Sequence, residues 1–596
     1  MSDYRAPLAD MRFVLEHEVG LAELMQLEPY RHADGETVDA VLEEAARLAA
    51  DVVAPLNRVG DQQGSRLENG EVRTPEGFRD AYRQFREGGW NSVPVDPEHG
   101  GSGLPWAISL AVQEMFTSAN MAFALCPLLT QGAIELLAAH GSAEQKELYL
   151  GRLVSGEWTG TMNLTEPQAG SDVGAVKTRA IRQPDGSYRI TGSKIFISYG
   201  EHDMAENIIH LVLARTPDAP AGTRGISCFI VPKFLVGADG RPGARNDLRA
   251  VSLEHKLGIH ASPTCVMSFG DNEGAVGYLV GEENSGMRCM FTMMNNARLS
   301  VGLQGLAVAE RAYQHALAYA RERRQGRPIG AAAADAPILF HPDVRRMLLT
   351  MKAQIEAMRA LIYLNGAAMD RVHGAGDDAA RARAQSLVDL LIPVSKGWST
   401  DLGVEITSTA MQVYGGMGYV EETGVAQLFR DARIAPIYEG TNGIQALDLV
   451  MRKLPLQGGA PVRAFLDQMR ALDAELARGG ADLGALRPAL AQAVQALGEA
   501  TGWLQAVQAD RPEDAAAGAS AYLRMFGIVT GGYLLARAAL AAQRALGGRP
   551  GDRFLKEKIA TAAFYAEQIL PQGTALLGPV TAGAGRLREV ALETGA

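Results

Sequence analysis

The sequence is short of cysteine, of excess positive charge and of long apolar runs, and each shortage excludes a class of protein. Its four cysteines, Cys126, Cys228, Cys265 and Cys289, show no CxxC or metal-like spacing. We therefore expect buried free thiols in a reducing compartment, and neither a disulfide framework nor a metal site. The formal net charge of −11 argues against a nucleic-acid-binding surface over the whole chain.

Signals for export and membrane insertion are also lacking. The opening MSDYRAPLADMRF carries charge from its third residue and has no apolar core like that of a signal peptide. No run reaches about 18 consecutive apolar residues, so no membrane span is predicted. We expect a cytoplasmic protein. The apolar segment 531–540 leaves a membrane contact open, with a buried helix as the simpler interpretation.

The chain changes its pattern along its length, which predicts alternating helical and β-rich parts. Apolar residues recur at helical spacing before residue 160 and again from 286 onward. Between them, runs such as SYRITGSKIFIS and GISCFIVPK are β-rich and bounded by turn residues. We predict an N-terminal α-helical domain at 1–160, a middle β domain at 161–285, a helical-bundle domain at 286–454 and a helical extension at 455–596.

One carboxylate stands out in the segment 430–445, RDARIAPIYEGTNGIQ. Glu439 follows an apolar-aromatic run that ends at Tyr438, and it precedes Gly440. A carboxyl group in apolar surroundings has its charged form disfavoured, so its pKa should rise and it can act as a base near neutrality. Gly440 lets the backbone approach a ligand closely. An isolated YEG tripeptide is more often a surface loop, so this prediction depends on a companion motif.

The companion is the turn-rich segment 162–171, MNLTEPQAGS, whose backbone N–H groups can hold a phosphate or a polar ring edge. TEPxxGSD, KxxA, TGSKxxI and YEGTxxIQ follow one another in this order. Together they resemble the acyl-CoA dehydrogenase family of flavoenzymes, from about residue 40 to about residue 455. The resemblance implies FAD and a fold with an N-terminal α-helical domain, a middle β-barrel and a C-terminal helical bundle.

The extension and the opening YRAPLADMRFVL resemble a longer subgroup of that family with an extra C-terminal helical domain. The subgroup includes dehydrogenases of 3-(methylthio)propanoyl-CoA and of fatty-acyl-CoA. The resemblance therefore leaves two kinds of substrate open: medium to long straight chains, or a short chain that bears a methylthio group. Extended relatives are often dimers, so we expect a homodimer.

The resemblance implies dehydrogenation of an acyl-CoA thioester between its α and β carbons. Glu439 matches the base that removes the α-proton, while FAD takes the β-hydride, because no side chain can accept one. Tyr438 and Gly440 flank the base and are assigned to the substrate site. Some relatives carry their base two residues after the Asp of a DxxR motif, where this chain has Ala297, which cannot act as a base.

Flavin contacts within one chain are implied by the motifs MNLTEPQAGS and SKIFIS. The matching residues are Met162, Leu164, Thr165, Gly170, Ser171, Phe196, Ile197 and Ser198. Thr165 would bond the isoalloxazine ring, Phe196 would offer it an aromatic face, and Ser171 would bond the pyrophosphate or the CoA. Asn295 and Arg298 match further CoA contacts, although relatives carry Asp where Asn295 stands.

A further set would reach the flavin of a neighbouring subunit. It comprises Arg323, His341, Gln412, Gly415 and Gly416, and Thr441 matches another flavin contact just after the base. This chain departs from the family pattern near them: Gln325 runs directly into Gly326 without the usual Phe, and Pro342 replaces a Gln. If these matches hold, each FAD site needs two chains.

Two other functions remain to be weighed against a dehydrogenase that passes electrons to an electron-transfer flavoprotein. An acyl-CoA oxidase of the same fold would pass them to oxygen, and the sequence leaves that alternative open. A nucleic-acid-associated flavoprotein related to alkylation-response proteins would need a basic C-terminal domain. Residues 455–596 hold 14 Lys and Arg against 13 Asp and Glu, which disfavours that function.

Overall fold

Helices precede and follow a β-rich part of the chain, in the order that the apolar periodicity predicts. The computed structural model describes residues 4–237, 239–330 and 336–590, apart from the side chains of Asn295, Ala481 and Asp482. The helices of the first part are α1 (Leu8–Val14), α2 (Leu21–Leu24), α3 (Gly35–Leu48), α4 (Leu56–Gln63), α5 (Phe78–Glu87), α6 (Trp106–Ala119), α7 (Met121–His140), α8 (Ala143–Gln145) and α9 (Gly151–Val154).

A short hairpin interrupts these helices. Strands β1 (Arg66–Glu68) and β2 (Glu71–Arg73) pair antiparallel. Asn69 and Gly70 form the turn, with φ of 52° and 83°, as a two-residue hairpin turn requires. The helical spacing predicted before residue 160 is therefore interrupted at this hairpin, and the Asn-Gly pair was the local signal for it.

The middle of the chain folds into an eight-stranded sheet and a separate hairpin. The strands are β3 (Trp158–Asn163), β4 (Arg179–Arg182), β5 (Tyr188–Ser198), β6 (Asn207–Ala214), β7 (Ser227–Pro232), β8 (Phe234–Val236), β9 (Pro242–Arg245), β10 (Leu248–Leu253), β11 (Thr264–Phe269) and β12 (Ala275–Val280). The sheet order is β10-β11-β5-β12-β7-β6-β3, with β4 also on β5, while β8 pairs with β9. Strand β3 runs parallel to β6, and the other neighbours in the sheet are antiparallel.

Side chains on the two faces of this sheet enter different apolar cores. Strands β4 to β7 and β10 to β12 enclose an interior of their own, in which Ile190, Val212, Phe229 and Met267 are buried. Alternate residues of β6 and β7, such as Leu211, point the other way and pack with α7 and α9. The middle β-barrel predicted for this part of the chain is thus present as a sheet with a filled interior.

Long helices follow the sheet and form the bundle. They are α10 (Gly286–Glu322), α11 (Pro342–His373), α12 (Asp378–Tyr414), α13 (Val425–Ala432) and α14 (Asn442–Asp448). Helix α10 packs against α11 and α12, and also against α6 and α7 of the first part. With 37 residues, it is about 55 Å long. It therefore runs from the sheet through the whole bundle.

The extension is helical, as predicted. Its helices are α15 (Ala460–Arg478), α16 (Ala481–Gly484), α17 (Arg487–Val507), α18 (Pro512–Leu546), α19 (Arg553–Gln568), α20 (Leu570–Ala575), α21 (Leu577–Thr581) and α22 (Gly585–Glu589). The apolar stripe predicted for the first of them is buried along its length, from Val462 to Leu476. Helix α18 packs on α11, α12 and α14, so the extension covers one side of the bundle.

Among the residues that the structure describes, helices α7 and α18 are long and apolar enough to cross a membrane by length and composition alone. Within the fold, 83% of the apolar window of α7 and 89% of that of α18 are buried. Core helices pass the same test, so this finding is weak evidence for a span. Residues 531–540 lie inside α18 and nearly all are buried, which confirms their prediction as a buried helix.

A buried charge cluster joins both ends of the chain to the bundle. Its members are Asp10, Glu114, Glu310, Lys352, Glu356, Arg359 and Lys558. Arg359 donates to Glu310 at 2.8 Å, and Lys558 donates to Glu356 at 2.9 Å. Both cations also pair with Asp10. Because Asp10 belongs to α1 and Lys558 to α19, the cluster connects the N-terminal segment and the extension through α11.

Candidate active site

The loop between α13 and α14 holds Glu439 in an uncommon backbone conformation. Glu439 has φ +56° and Gly440 has φ +83°, so two consecutive residues occupy the left-handed region. Residues that carry a Cβ rarely do so, and such strain persists where neighbours fix it, often at functional sites. Thr441 then caps α14, because its hydroxyl accepts the Ile444 N–H at 3.3 Å. The turn thus presents Glu439 immediately before a helix start.

Two cations from neighbouring helices act on the Glu439 carboxylate. Arg298 of α10 and Lys396 of α12 are both buried, while Glu439 itself is half-buried. Burial raises the pKa of Glu439 to about 7, although Arg298 and Lys396 oppose the rise. Arg298 also lies 3.7 Å from Asp448 of α14. Glu439 is therefore a carboxylate that can accept and release a proton near neutral pH.

Lys396 and Gln445, which had no predicted role, donate hydrogen bonds to this turn. Lys396 donates from Nζ to the Gly440 carbonyl at 2.8 Å and to Asn442 Oδ1 at 2.9 Å. The Gln445 amide lies 3.3 Å from the Glu439 carbonyl, to which it donates. The available signal for Lys396 was a lone lysine in the apolar stretch LLIPVSKGW of a helix. Nothing local in the sequence indicated which loop it would meet.

Of the other predicted substrate contacts, Tyr438 adjoins Glu439 and Ser171 belongs to a different loop. Tyr438 donates its hydroxyl to Gln304 of α10, so its side chain reaches that helix beside Glu439. Gln304 had no predicted role, although it joins the turn at Glu439 to α10. Ser171 is exposed on the loop after β3. The side chain of Asn295 lies outside the described residues.

Glu166 and Lys194 fix the loop 164–172 that follows β3. Lys194 donates from Nζ to Glu166 Oε1 at 2.8 Å and to the Leu164 carbonyl at 2.9 Å, and both ionic groups are buried. Thr178 adds its N–H and its hydroxyl, at 3.0 and 2.6 Å. Burial alone would raise the pKa of Glu166, but Lys194 and these donors outweigh it and lower it to about 2. Both residues stand inside the motifs TEP and TGSK, which were the signal for them.

A bulge in β5 turns an aromatic ring toward solvent. Ile195 and Phe196 face the single residue Val266 of β11, because the pairing register shifts there. Phe196 has φ +60°, and 60% of its surface is exposed. The next residues, Ile197 and Ser198, are buried and half-buried. An exposed ring held in a strained conformation suits the stacking of a flat aromatic ligand.

The two motifs predicted to hold FAD lie side by side. The Ile195 N–H donates to the Thr165 carbonyl at 2.9 Å, so the loop 164–172 adjoins the bulge. Gly170 and Ser171 are exposed at the far part of that loop. An exposed ring beside a loop with accessible polar groups fits a ligand that has an aromatic ring at one end and phosphates at the other, as FAD has.

Helix α10 connects this region with Glu439. Met162 and Leu164 pack, half-buried, against the apolar cluster that contains Met293 of α10. Arg298 follows on the same helix, at about 1.5 Å of rise per residue roughly 7 Å further along. One rigid helix therefore sets the position of the loop after β3 relative to the cation beside Glu439.

The set assigned to a neighbouring subunit's flavin lies at the other end of the bundle. It comprises Arg323, His341, Gln412, Gly415 and Gly416. The rings of Tyr319 and Tyr414 stack at 4.1 Å, so the ends of α10 and α12 meet there. At about 1.5 Å per residue, Arg323 lies roughly 37 Å along α10 from Arg298. These residues are therefore distant from Glu439 of the same chain.

Family models match the chain in four consecutive parts. An acyl-CoA dehydrogenase N-terminal domain matches residues 35–157, a middle domain matches 161–272, and a C-terminal domain matches 284–454. A domain described as acetyl-CoA dehydrogenase C-terminal like matches residues 460–591.

Relatives and solved structures span nearly the whole chain. A 3-methylmercaptopropionyl-CoA dehydrogenase of Ruegeria pomeroyi is 50% identical over 573 residues, which cover 96% of this chain and 97% of that protein. A broad-specificity linear acyl-CoA dehydrogenase of Mycobacterium tuberculosis is 36% identical over 597 residues, which cover 96% of each. An acyl-CoA dehydrogenase of Bacillus anthracis complexed with FAD superposes with a TM-score of 0.73 at 20% identity, over 95% of this chain and 92% of that one.

Proposed function

Because the chain belongs to the acyl-CoA dehydrogenase family, we propose that it forms an α,β double bond in an acyl-CoA thioester with Glu439 as the base. The observation that carries this proposal is the Glu439 turn. It combines a strained backbone, a half-buried carboxylate and a pKa raised by burial to about 7. A base that takes a proton from carbon must be ionised in neutral solution and yet bind a proton well, so a pKa near 7 suits it.

The steps assigned to this chain are those of proton removal and charge stabilisation. Glu439 takes the α-proton, and the electron pair of that C–H bond becomes the second bond between the α and β carbons. The pair of a β C–H bond leaves as hydride, which FAD accepts when bound. The backbone N–H of Glu439 would donate to the thioester carbonyl and stabilise the charge that develops there.

FAD would be held by the two neighbouring motifs. Phe196 would give the isoalloxazine ring a face, and Thr165 and Ser198 would supply polar contacts at its edge. The remaining contacts would come from Met162, Leu164, Gly170, Ser171 and Ile197. The Glu166–Lys194 pair keeps the loop in place, so these groups need little reorganisation when the cofactor binds.

We further propose a homodimer in which each FAD contacts both chains. The set that includes Arg323 and His341 lies far from its own Glu439, at the end where α10 meets α12. Apolar side chains are exposed at the same end, with 55% of Phe340 and 88% of Tyr419 accessible. Guanidinium and imidazole groups beside an apolar surface suit a partner's pyrophosphate. Analytical ultracentrifugation should therefore give a dimer, and Arg323→Met should lower FAD content.

The substrate we propose is 3-methylmercaptopropionyl-CoA, which is the same compound as 3-(methylthio)propanoyl-CoA. The electron acceptor we propose is an electron-transfer flavoprotein. The proposal is supported by 50% identity to a dehydrogenase of that name over almost the full length of both proteins. The relative with broad specificity for linear acyl-CoA is less similar, at 36%. Straight-chain acyl-CoA is thus the second candidate.

The experiment is a substrate panel with the purified FAD-loaded protein under argon. Flavin bleaching is followed with 3-methylmercaptopropionyl-CoA and with straight-chain acyl-CoA thioesters from short to long. We expect the fastest bleaching with the methylthio substrate and slow reoxidation of the reduced flavin in air. Fast reoxidation would indicate an oxidase, and bleaching by one straight-chain window alone would establish the second candidate.

Glu439→Gln is the matched variant for the base. It should fold and bind FAD, yet bleach the flavin several orders of magnitude more slowly, because an amide cannot take the proton. Bleaching by Glu439→Gln at the normal rate would mean that another residue is the base. A protein that binds FAD but is bleached by no thioester would contradict the dehydrogenase proposal itself.

A further inference from the structure

Lys396 is a fully buried lysine whose ammonium group points at the base turn. Lys396 lies in the middle of α12, and none of its side chain is accessible to solvent. Nζ donates to the Gly440 carbonyl at 2.8 Å and to Asn442 Oδ1 at 2.9 Å. A buried ammonium is costly unless it is paired and hydrogen-bonded. Both partners belong to the turn that carries Glu439, so this cost is offset only when the turn is in place.

Asn442 connects the same turn to α12 a second time. Its amide donates to the Gly397 carbonyl at 3.0 Å and to Asp401 Oδ1 at 2.7 Å. Its carbonyl oxygen is the acceptor for Lys396. The Asn442 side chain therefore uses both its donor and its acceptor groups against one face of α12. The segment from Glu439 to Asn442 is docked on that helix and does not extend freely into solvent.

Gly440 makes this docking sensitive to small displacements. Its φ of +83° is unfavourable for other residues, and a Cβ there would lie 2.7 Å from the Gln445 amide. Glu439, with φ +56°, has no such freedom. Its left-handed conformation must be held by contacts on either side of it, since an isolated non-glycine residue would leave that region.

Charge acts on the base together with geometry. Burial lowers the pKa of Lys396, and Arg298 lowers it further, whereas the carboxylates of Glu439 and Asp401 raise it and so favour the charged ammonium. Burial in turn raises the pKa of Glu439, against Arg298 and Lys396. Charged groups of α12, of α14 and the residues after it, and of α18 act in turn on Arg298 and Asp401. Asp448 and Arg452 act on Arg298, and Glu405 and Arg524 act on Asp401.

We propose that Lys396 is a positioning residue for the base: its two hydrogen bonds hold the turn that gives Glu439 its orientation, and its positive charge favours the ionised form of that carboxylate. The inference rests on the proposed role of Glu439. It adds a residue of α12 that reaches the turn through Gly440 and Asn442. Lys396 acts on the reaction through the turn and its charge.

Lys396→Met and Lys396→Arg separate charge from geometry. Methionine keeps most of the buried volume but loses the charge and both hydrogen bonds, so the Glu439 pKa should rise. The rate of anaerobic flavin reduction is measured against pH by stopped flow. For Lys396→Met we expect the acid limb to move up by about one pH unit and the maximal rate to fall about tenfold. Arginine keeps the charge, so its acid limb should stay in place while the rate falls.

Asn442→Ala tests the geometric half without removing the lysine. It should lower the maximal reduction rate and leave the acid limb where it is in the wild type. This variant also serves if Lys396→Met does not fold, because Asn442 is only half-buried. Lys453→Met is the control, since Lys453 also pairs with α12, but through Asp389 at 3.6 Å and not through residues 439–442. It should leave both rate and pH profile unchanged.

The outcomes distinguish this inference from the proposal beneath it. Glu439→Gln is measured in the same assay. If its flavin is reduced at the normal rate, then Glu439 is not the base, and the inference about Lys396 is overturned with that proposal. If Glu439→Gln is inactive while Lys396→Met keeps the wild-type rate and limb, only the inference about Lys396 is overturned. A tenfold slower Lys396→Met with an unshifted limb would overturn the electrostatic half. A wild-type rate in Asn442→Ala would overturn the geometric half.

Discussion

At Glu439, burial and two cations act in opposite directions on one carboxyl group. Burial raises its pKa, and Arg298 and Lys396 draw it down, with about 7 as the result. A fully apolar pocket would leave the group protonated in neutral solution, whereas a stronger ion pair would leave it a poor proton acceptor. The value near 7 keeps both forms accessible, which a base that receives a proton and later releases it needs.

The rate of dehydrogenation should therefore rise with pH through about 7. Below that pH Glu439 is mostly protonated and cannot accept the α-proton; above it, the carboxylate form dominates and the rate levels off. The measurement is the initial rate of flavin reduction against pH with saturating substrate. A rate that stays constant from about pH 5 to about pH 9 would mean that Glu439 does not control the step.

Phe196→Ala should weaken FAD binding several-fold. The proposed stacking of the exposed ring on the isoalloxazine contributes about 1 kcal/mol and would be lost, while the fold should remain because the ring is exposed. The measurement is FAD affinity by quenching of flavin fluorescence. Leu587→Ala in α22, where 68% of the side chain is exposed, removes a comparable apolar group far along the chain and should leave the affinity unchanged. Equal FAD affinities for Phe196→Ala and the wild type would exclude stacking at this position.

Local motifs allowed some of these residues to be predicted and left others out. Glu439 and Phe196 stand inside short ordered motifs, so their neighbours in the sequence are also their neighbours in the site. Lys396 and Gln304 could not be found in this way, because their partners lie in the turn before α14. A contact between distant positions needs the packing of α10 and α12 to be known.

Among the elements, the loop after β3 depends on one buried ion pair. The Glu166 carboxylate pairs with Lys194 and accepts hydrogen bonds from several N–H and hydroxyl groups, which lower its pKa to about 2. Since the folded pKa is below the usual value of 4.5, the stabilisation is fully present above that value and is lost as the pH falls toward 2. The loop is thus protected across the pH range in which Glu439 titrates.

Lys194→Met should loosen this loop and lower the FAD content of the purified protein. It leaves the Glu166 carboxylate buried without its cation, a change that costs about 3 to 5 kcal/mol in typical proteins. The measurements are the midpoint of urea unfolding and the ratio of bound flavin to protein. Lys177→Met nearby changes an exposed side chain and should alter neither. A Lys194→Met protein with normal stability and full FAD would show that the pair is dispensable.

Element types were readable from periodicity, and their exceptions have local causes. The stripe from Val462 to Leu476 predicted α15 because every third or fourth residue is apolar. In the structure each of these apolar residues is buried. The hairpin β1–β2 was missed because its strands are only three residues long, too short for alternation to show. The bulge at Phe196 left no pattern, since a register shift depends on the partner strand.

Over the whole molecule, the buried charge cluster holds the extension and the N-terminal segment on the bundle. Arg359 contacts Asp10, Glu114 and Glu310, which belong to three different helices. Apolar packing accompanies it, and Gly527 of α18 lies so close to Trp398 that a Cβ would be 2.2 Å from the indole. These partners are far apart in the sequence, so the extension could be predicted as helical while its docking site could not.

Arg359→Met should destabilise the protein by about 3 to 5 kcal/mol, because it leaves buried carboxylates without their cation. The measurement is the free energy of unfolding in denaturant. Arg346→Met is the control on the same helix, since Arg346 pairs with Asp343 at the surface and such pairs contribute under about 1 kcal/mol. Similar losses for the two variants would mean that the cluster contributes no more than a surface ion pair.

The same cluster sets a condition on how the chain is made. Asp10 and its partner Lys558 are separated by 548 positions. At about 5 to 20 residues per second, a ribosome needs roughly half a minute to two minutes to pass from one to the other. During the last part of that interval α11 has been synthesised with Glu356, but Lys558, which pairs with Glu356 and Asp10, has not. In the nascent chain, Glu356 therefore lacks Lys558, and the face of α11 that packs against α18 and α19 stays uncovered until those helices leave the ribosome.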